Sequence, residues 1–180
     1  MRGVLFDADA FHCLRSLGLL GDLCAAGRAF EITEYVKKVE LNPIAGFVDA
    51  LVAGGALTVH PVSDPEGRAR WKKLRTEGAH KGEAEALAWL LGLPAASRPV
   101  FVTRDTGATA RARAHGVATT DVFGLVCAAI EVGWMDLDHA RAALAVWDDK
   151  AKQICRPREW SGFDSTRAKR IAAVRAAFDL

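Results

Sequence analysis

The stretch "PVFVTRDTGATARARAHGVATTDVFG", residues 99–124, alternates between two patterns. Its first five residues are mainly β-branched and aromatic and precede a polar turn, so they predict a buried strand, and "VATT" at 117–120 predicts a short second one. The twelve residues after "PVFVTR" predict a helix, and "DVFG" opens another. Strands separated by helices favour βαβ units, and therefore a parallel sheet with helices on both faces.

The same alternation extends over the rest of the chain. Three further apolar runs predict strands, at 3–6, 29–33 and 56–62. Helical patterns and their start and stop residues predict helices at 10–20, 34–42, 44–53, 64–78, 82–92, 105–116, 121–133, 136–150 and 165–178. The fold class that follows is α/β: a three-layer α/β/α sandwich with a central parallel sheet over residues 1–149. Residues 150–180 would add a basic helical extension that is not an independent domain.

Composition limits the class of protein. A chain of 180 residues with 51% hydrophobic residues can bury a sizeable core. It contains neither an apolar run long enough to span a membrane nor a secretory signal pattern. The cysteines, Cys13, Cys24, Cys127 and Cys155, are far apart and form no C-x-x-C pair. This spacing argues against a zinc site and predicts reduced thiols in a cytoplasmic protein.

Positive charge is concentrated in two segments, although the net charge is only +2. One is "GRARWKKLR" at 67–75, and the other covers the last thirty residues. Such runs are usually solvated faces, but Trp71 and Trp160 lie within them, and aromatic residues among cations are typical of RNA-binding surfaces. The candidates for contacts to a nucleic-acid backbone are Arg70, Lys72, Lys73, Arg156, Arg158, Lys169 and Arg170.

Acidic residues occur where the predicted strands end and helices begin. Asp7 follows the first strand and Asp105 follows "PVFVT", while Glu83 and Asp121 stand at helix starts. Each alone is explained as a helix cap or as a complement to the helix dipole. Parallel sheets bind ligands beyond the carboxyl ends of their strands, so these acids would meet at one edge and repel one another. A divalent cation bound by their oxygens would remove that repulsion.

The segments "VLFDADAF" (4–11), "GEAEALAWLL" (82–91) and "VFVTRDTGATARARAHGV" (100–117), in this order, resemble the PIN domain family of metal-dependent ribonucleases. The resemblance covers about residues 1–147. It implies a parallel α/β/α sandwich, an acidic pocket that holds Mg²⁺ or Mn²⁺, and hydrolysis of RNA phosphodiesters. Many family members are toxins paired with an antitoxin, so the resemblance also suggests an antitoxin-like protein partner. A homodimer is an open alternative to a monomer.

The resemblance assigns roles to individual acids. Asp7, Glu83 and Asp105 match the family's catalytic, metal-binding positions. The family's remaining acid lies on the helix after the second strand, where Glu34 and Glu40 compete, and we favour Glu40 because it lies one turn on from Val36, nearer the cleft.

Three other residues have supporting roles. Asp121 would complete or orient the metal site, and Asp9 and Thr103 would support its ligands. We expect the chain to turn after Asp7, so that Asp7 points to the metal while Asp9 caps the helix that starts near Ala10. The bound metal would activate a water molecule and stabilise charge on the phosphate.

Two other function classes fit parts of the sequence. One is a non-catalytic PIN-like module that binds RNA or a protein. The other is a phosphatase of the haloacid-dehalogenase type, because "DAD" at 7–9 resembles the D-x-D motif of that family. That family expects Thr or Val where Phe11 stands, and a late acidic pair after a strand, whereas Asp148 and Asp149 follow a predicted helix.

Overall fold

The computed structural model describes residues 2–26, 30–149 and 155–180. The described residues form one sheet of five strands, in the order β3-β2-β1-β4-β5, and every neighbouring pair is parallel. The strands are β1 (Val4–Phe6), β2 (Phe30–Thr33), β3 (Leu57–His60), β4 (Val100–Val102) and β5 (Thr119–Thr120). The α/β class and the central parallel sheet are therefore confirmed. Residue 29 of the predicted second strand lies outside the described residues.

Helices connect the strands and cover the sheet. They are α1 (Ala8–Ser16), α2 (Leu20–Ala25), α3 (Ala45–Ala53), α4 (Pro65–Thr76), α5 (Lys81–Gly92), α6 (Thr106–Ala114), α7 (Val122–Glu131), α8 (Leu137–Leu144) and α9 (Phe163–Phe178). Single 3₁₀ turns lie at Asn42–Ile44, Ala95–Ser97 and Ala145–Asp148.

Three predicted helices differ from the structure. The helix expected at 136–150 is α8 followed by a 3₁₀ turn at Ala145–Asp148, and residue 150 lies outside the described residues. The helix expected at 10–20 is two helices, because Gly18 adopts a φ of +74°, which only glycine adopts readily and which ends α1. The helix expected at 34–42 is a π-helical turn at Val36–Glu40, in which the N–H of Leu41 donates to the carbonyl of Val36 at 2.8 Å. This wider turn ends in Glu40.

The strand side chains alternate between two separate cores. Val4 and Phe6 of β1 belong to a large apolar cluster with α1, α2, α7 and α9, whereas Leu5 belongs to a second cluster with α4, α5 and α6. Phe101 of β4 joins the second cluster as well. Because successive strand residues point to opposite faces, a continuous apolar run supplies both cores, and the helices form a layer on each face.

The last described segment packs into the larger core. Phe163, Val174 and Phe178 of α9 are buried there, together with Trp160. Arg2 is joined to the end of α9, since its N–H donates to the carbonyl of Phe178 at 3.2 Å. The apolar stripe of the basic extension therefore contributes to the same core as the sheet.

The cysteines differ from the prediction of reduced thiols. Cys13 of α1 and Cys155 form a disulfide, with their Cα atoms 5.9 Å apart, while Cys24 and Cys127 are free. The prediction is wrong for this pair, and the cytoplasmic location that depended on it stays a prediction.

Among the helices of the described residues, none has the length and apolar character needed to cross a membrane.

Candidate functional site

The strand order reverses beside β1, which places a crevice at the carboxyl ends of β1 and β4. From β1 the sheet continues to β2 on one side and to β4 on the other. Asp7 follows β1 directly, and its N–H donates to the carbonyl of Val102 at the end of β4 (3.1 Å). Asp105 comes three residues after Val102. In open parallel sheets this is the position where ligands bind.

A cleft of about 560 Å³ opens at this edge, and we call it the acidic cleft. The acids that line it are Asp7, Asp9, Glu40, Glu83 and Asp105, and two histidines, His12 and His80, stand among them. The structure thus brings the three predicted catalytic acids together, with Glu40 rather than Glu34 beside them. Glu34 is half-exposed and pairs with Lys38 at 2.6 Å.

Asp7 is the N-cap of α1. Its Oδ1 accepts a hydrogen bond from the N–H of Ala10 at 2.6 Å, with the extended backbone that an N-cap requires. The prediction that Asp9 is the cap is therefore wrong, because the helix begins at Ala8, two residues earlier than expected, and Asp9 falls in its first turn. Burial raises the pKa of Asp7 to about 6, against an opposing hydrogen bond from Thr103.

Glu83 and Asp105 are held by protein donors. Glu83 Oε1 accepts from Arg111 Nε at 2.8 Å, and its other oxygen accepts from the N–H of His80 at 3.2 Å. Asp105 caps α6 by accepting from the N–H of Ala108 at 2.7 Å. Both carboxylates are thereby fixed in direction, and each keeps lone pairs for a further ligand.

Glu40 lies against the first turn of α5. A Cβ atom on Gly82 would come within 2.6 Å of both Glu40 carboxylate oxygens, so only glycine leaves room for this approach. Burial raises the pKa of Glu40, and repulsion from Asp9 and Glu85 acts in the same direction. Both effects favour the protonated, neutral form of Glu40.

The donor set suits Mg²⁺ or Mn²⁺, since hard carboxylate oxygens are the ligands that these cations prefer. Within residues 2–26, 30–149 and 155–180, however, no three His, Cys, Asp or Glu side chains are grouped closely enough to hold a metal ion as they stand. The acids instead direct oxygens to N–H groups and to Arg111. The chemistry of the cleft fits a divalent cation, and its carboxylates would have to draw together to bind one.

Asp121 is not in the acidic cleft. It caps α7 through the N–H of Gly124 (2.9 Å), and its Oδ2 accepts from Arg170 Nη1 at 2.8 Å. It lines a second cleft of about 520 Å³, which we call the arginine cleft. The arginines of this cleft are Arg104, Arg113, Arg156, Arg158 and Arg170, and Asp105 lines both clefts.

The predicted nucleic-acid contacts at the end of the chain divide into two groups. Arg156 and Arg158 line the arginine cleft. Arg170 also lines it, but its guanidinium is occupied by Asp121 and Glu159 and lies over the ring of Phe123. Lys169 is exposed outside the lining and donates to Ser161 Oγ at 3.1 Å. Arg156 and Arg158 are therefore the residues of this group best placed to meet a ligand.

The α4 candidates lie on the opposite face of the sheet from α9. Arg70 donates to the carbonyl of Ala88 (3.2 Å) and lies 3.6 Å from Glu66, while Lys73 lies 3.9 Å from Glu77. Lys72 is exposed. These side chains lie on the surface of α4 and line neither cleft.

Several residues of the two clefts were not predicted. His12 lies one helical turn after Ala8, and this spacing would have placed it on the face of Asp9. Arg104 directly precedes the predicted site residue Asp105, and this position could have identified it from the sequence. In the sequence, Arg111 and Arg113 cannot be distinguished from other helix-surface cations, because their partners, Glu83 and Thr119, come from other elements.

Compared with protein-family models, with curated proteins and with solved structures, the chain gives no match in any of the three.

Proposed function

We propose that this protein is a PIN-type endoribonuclease that hydrolyses RNA phosphodiesters with Mg²⁺ or Mn²⁺. The observation that carries the proposal is the meeting of Asp7, Glu40, Glu83 and Asp105 in one cleft at the strand-order reversal. These acids come from four separate parts of the chain. A helix cap explains Asp7 and Asp105, and an ion pair with Arg111 explains Glu83, but their shared location with Glu40 is better explained by a common ligand.

The chain's own residues would position the reaction. Asp7, Glu40, Glu83 and Asp105 would hold the cation, and Asp9 stands at the same cleft as a further acid. When bound, Mg²⁺ or Mn²⁺ supplies an activated water and stabilises charge on the phosphate. Arg111 fixes the direction of Glu83, and Thr103 donates to the Asp7 carboxyl. His12 and His80 line the cleft that the substrate would enter.

The resemblance to PIN domains extends the proposal to the biological setting. The protein would act in the cytoplasm, as a monomer or homodimer, and an antitoxin-like protein would restrain it. The antitoxin rests on the motifs of residues 4–11, 82–91 and 100–117 alone, whereas the cytoplasmic location rests on the spacing of the cysteines, of which Cys13 and Cys155 are joined.

A non-catalytic PIN-like module is the second candidate. The ion pair between Glu83 and Arg111 favours it, because an arginine already neutralises one of the required acids. The phosphatase interpretation has less support. Asp148 accepts from the indole N–H of Trp160 at 2.9 Å, and neither Asp148 nor Asp149 lines the acidic cleft.

The test combines metal binding with cleavage. Mn²⁺ binding is measured by calorimetry, and cleavage is followed on single-stranded RNA and on DNA of the same sequence, with and without EDTA. Glu40→Gln should weaken Mn²⁺ binding and slow cleavage by on the order of 100-fold, because it removes a charged ligand. Glu34→Gln is the matched control, since Glu34 pairs with exposed Lys38 and should change neither quantity.

The outcomes separate the candidates. Mn²⁺-dependent cleavage of RNA that is lost in Glu40→Gln supports the nuclease. RNA binding without Mn²⁺ binding and without cleavage would reject it in favour of the non-catalytic module.

A further inference from the structure

The arginine cleft has an excess of positive charge that the protein does not neutralise. Of its five arginines, Arg170 pairs with Asp121 and Glu159. The other four, Arg104, Arg113, Arg156 and Arg158, form no ion pair with a carboxylate within the described parts of the chain. The carboxylates of the cleft, Asp105, Asp121 and Glu159, are outnumbered by its arginines. Guanidinium groups in excess over carboxylates in a concave site favour an anionic ligand with several oxygens.

The rest of the lining is suited to phosphate oxygens. Hydroxyl groups of Thr106, Thr109, Thr119 and Thr120 stand among the arginines. Thr119 Oγ1 accepts from Arg113 Nε at 3.1 Å, which holds Arg113 in place without removing its charge. α6 and α7 both begin at this edge, where Asp105 and Asp121 cap them, so the attraction for an anion comes from the arginines rather than from the helix ends. The recognition chemistry is that of a phosphate rather than of a metal or an apolar group.

The arginine cleft adjoins the acidic cleft. Asp105 lines both, and it is followed by Thr106 of α6 in the arginine cleft and by Ala108 in the acidic cleft. A polymer with one phosphate at the acids would therefore pass its next phosphates over the arginines. We propose that the arginine cleft binds the phosphates that flank the scissile one in a single RNA strand. This inference rests on the proposed nuclease function for the identity of the scissile phosphate.

The disulfide holds part of this surface in position. Cys155 itself lines the arginine cleft and is joined to Cys13 of α1, and Arg156 and Arg158 come one and three residues after it. The two arginines are thereby tethered near the sheet edge that carries Asp7 and Asp105.

The experiment measures RNA binding in EDTA, so that neither metal binding nor cleavage contributes. The probe is a fluorescein-labelled single strand of about 12 nucleotides, a length that suits a groove of this kind. The test variant is Arg156→Ala with Arg158→Ala. The control is Lys72→Ala with Lys73→Ala, which removes the same charge from α4, on the other face of the sheet.

We expect the arginine variant to bind RNA on the order of tenfold or more weakly at about 0.1 M salt. Its salt slope should fall by about 1.4, since each lost phosphate contact on a single strand contributes about 0.7. The lysine variant should bind within about threefold of the original protein. Thermal melting checks that both variants fold, and Arg104→Ala, from a different loop, provides a second variant that should also weaken binding.

Equal weakening in the arginine and lysine variants, or unchanged binding in both the Arg156/Arg158 and Arg104 variants, would overturn the inference. So would polyglutamate binding as tightly as RNA and lost in the same variants, because it would identify an acidic protein as the ligand. If the arginine variant loses RNA binding while the original protein cleaves no RNA with Mn²⁺, the phosphate-binding cleft is supported and the nuclease proposal fails.

Discussion

The two clefts share an edge of the sheet and one residue, Asp105, but they carry opposite charge. In each cleft an arginine from another helix pairs with acids: Arg111 with Glu83 in the acidic cleft, and Arg170 with Asp121 and Glu159 in the arginine cleft. The first cleft keeps further carboxylates, among them Asp7 and Glu40, whose pKa burial raises. In the second, four other arginines outnumber the remaining carboxylate of Asp105.

The comparison shows how position in the fold determines the role of an acid. Asp7 and Asp121 both follow a strand and both cap a helix. Asp7 faces other acids, whereas Asp121 faces Arg170. The same local motif therefore gives a candidate ligand in one place and a structural ion pair in the other, and the partners from distant elements decide which.

The largest expected effect separates these two aspartates. Asp7→Asn should lower Mn²⁺-dependent RNA cleavage by on the order of 100-fold or more, because the cleft loses a charge that holds the cation. Asp121→Asn should stay within about threefold. Asparagine caps helices as well as aspartate does, so neither cap is lost. Initial cleavage rates measure both, and a larger loss in Asp121→Asn would contradict the assignment of the two clefts.

The next effect concerns the disulfide, whose Cys155 lines the arginine cleft but not the acidic cleft. Cys155→Ser should lower the free energy of unfolding by about 2–5 kcal/mol, because the disulfide closes a long loop of the unfolded chain. RNA binding should weaken as the segment with Arg156 and Arg158 loosens, while Mn²⁺ binding at the acidic cleft should persist. Urea unfolding with and without reductant measures the first quantity. Cys24→Ser, at a free cysteine, is the control and should respond to reductant as the original protein does.

The acidic cleft should also give the metal-free protein a distinct pH dependence. The pKa of Asp7 is about 6 in the folded protein against an ordinary value of 3.8, so the folded state binds the proton more tightly. Its contribution to stability is fully present below about pH 4 and is lost as the pH rises through 6, by on the order of 3 kcal/mol. The measured quantity is the difference in unfolding free energy between the original protein and Asp7→Asn.

That difference should favour Asp7→Asn increasingly between pH 4 and 7. An unchanged difference over this range would show that the Asp7 carboxyl is not penalised by burial. Saturating Mn²⁺ should reduce the dependence, because a bound cation favours the charged carboxylate.

The smallest effect concerns the space that glycine leaves in the acidic cleft. Gly82→Ala would force the Glu40 carboxylate away, since the added Cβ lies 2.6 Å from both of its oxygens. We expect Mn²⁺ affinity to fall by roughly three- to tenfold, about 0.7–1.4 kcal/mol. Gly46→Ala is the control, because it adds the same methyl group to α3 in open space. Equal affinities in the two variants would remove Glu40 from the site.

Much of the frame could be predicted because it depends on local patterns. Apolar runs such as Val100–Val102 predict strands buried on both faces, and the strand–helix alternation predicts a parallel sheet. Since the carboxyl ends of parallel strands lie at one edge, the proximity of Asp7 and Asp105 could be predicted from the sequence.

The rest depended on long-range contacts or on single backbone angles. Asp121 meets Arg170 across 49 residues, and Cys13 meets Cys155 across 142, distances over which sequence patterns carry no pairing information. The start of α1 was misplaced because Asp7 and Asp9 are equally good caps by residue type, and only the backbone at Asp7 distinguishes them. The assignments of a bound metal, an RNA substrate and a protein partner stay predictions.

The ends of the described chain meet near the amino end of β1, at the edge of the sheet opposite both clefts. Arg2 precedes β1, and its Nε lies 2.5 Å from Asp179 Oδ2 at the end of α9. The order of the elements along the chain can therefore be permuted. A short linker joining residues 180 and 2, with a new opening at the exposed Gly54–Gly55 turn before β3, would keep every strand pairing and leave both clefts untouched.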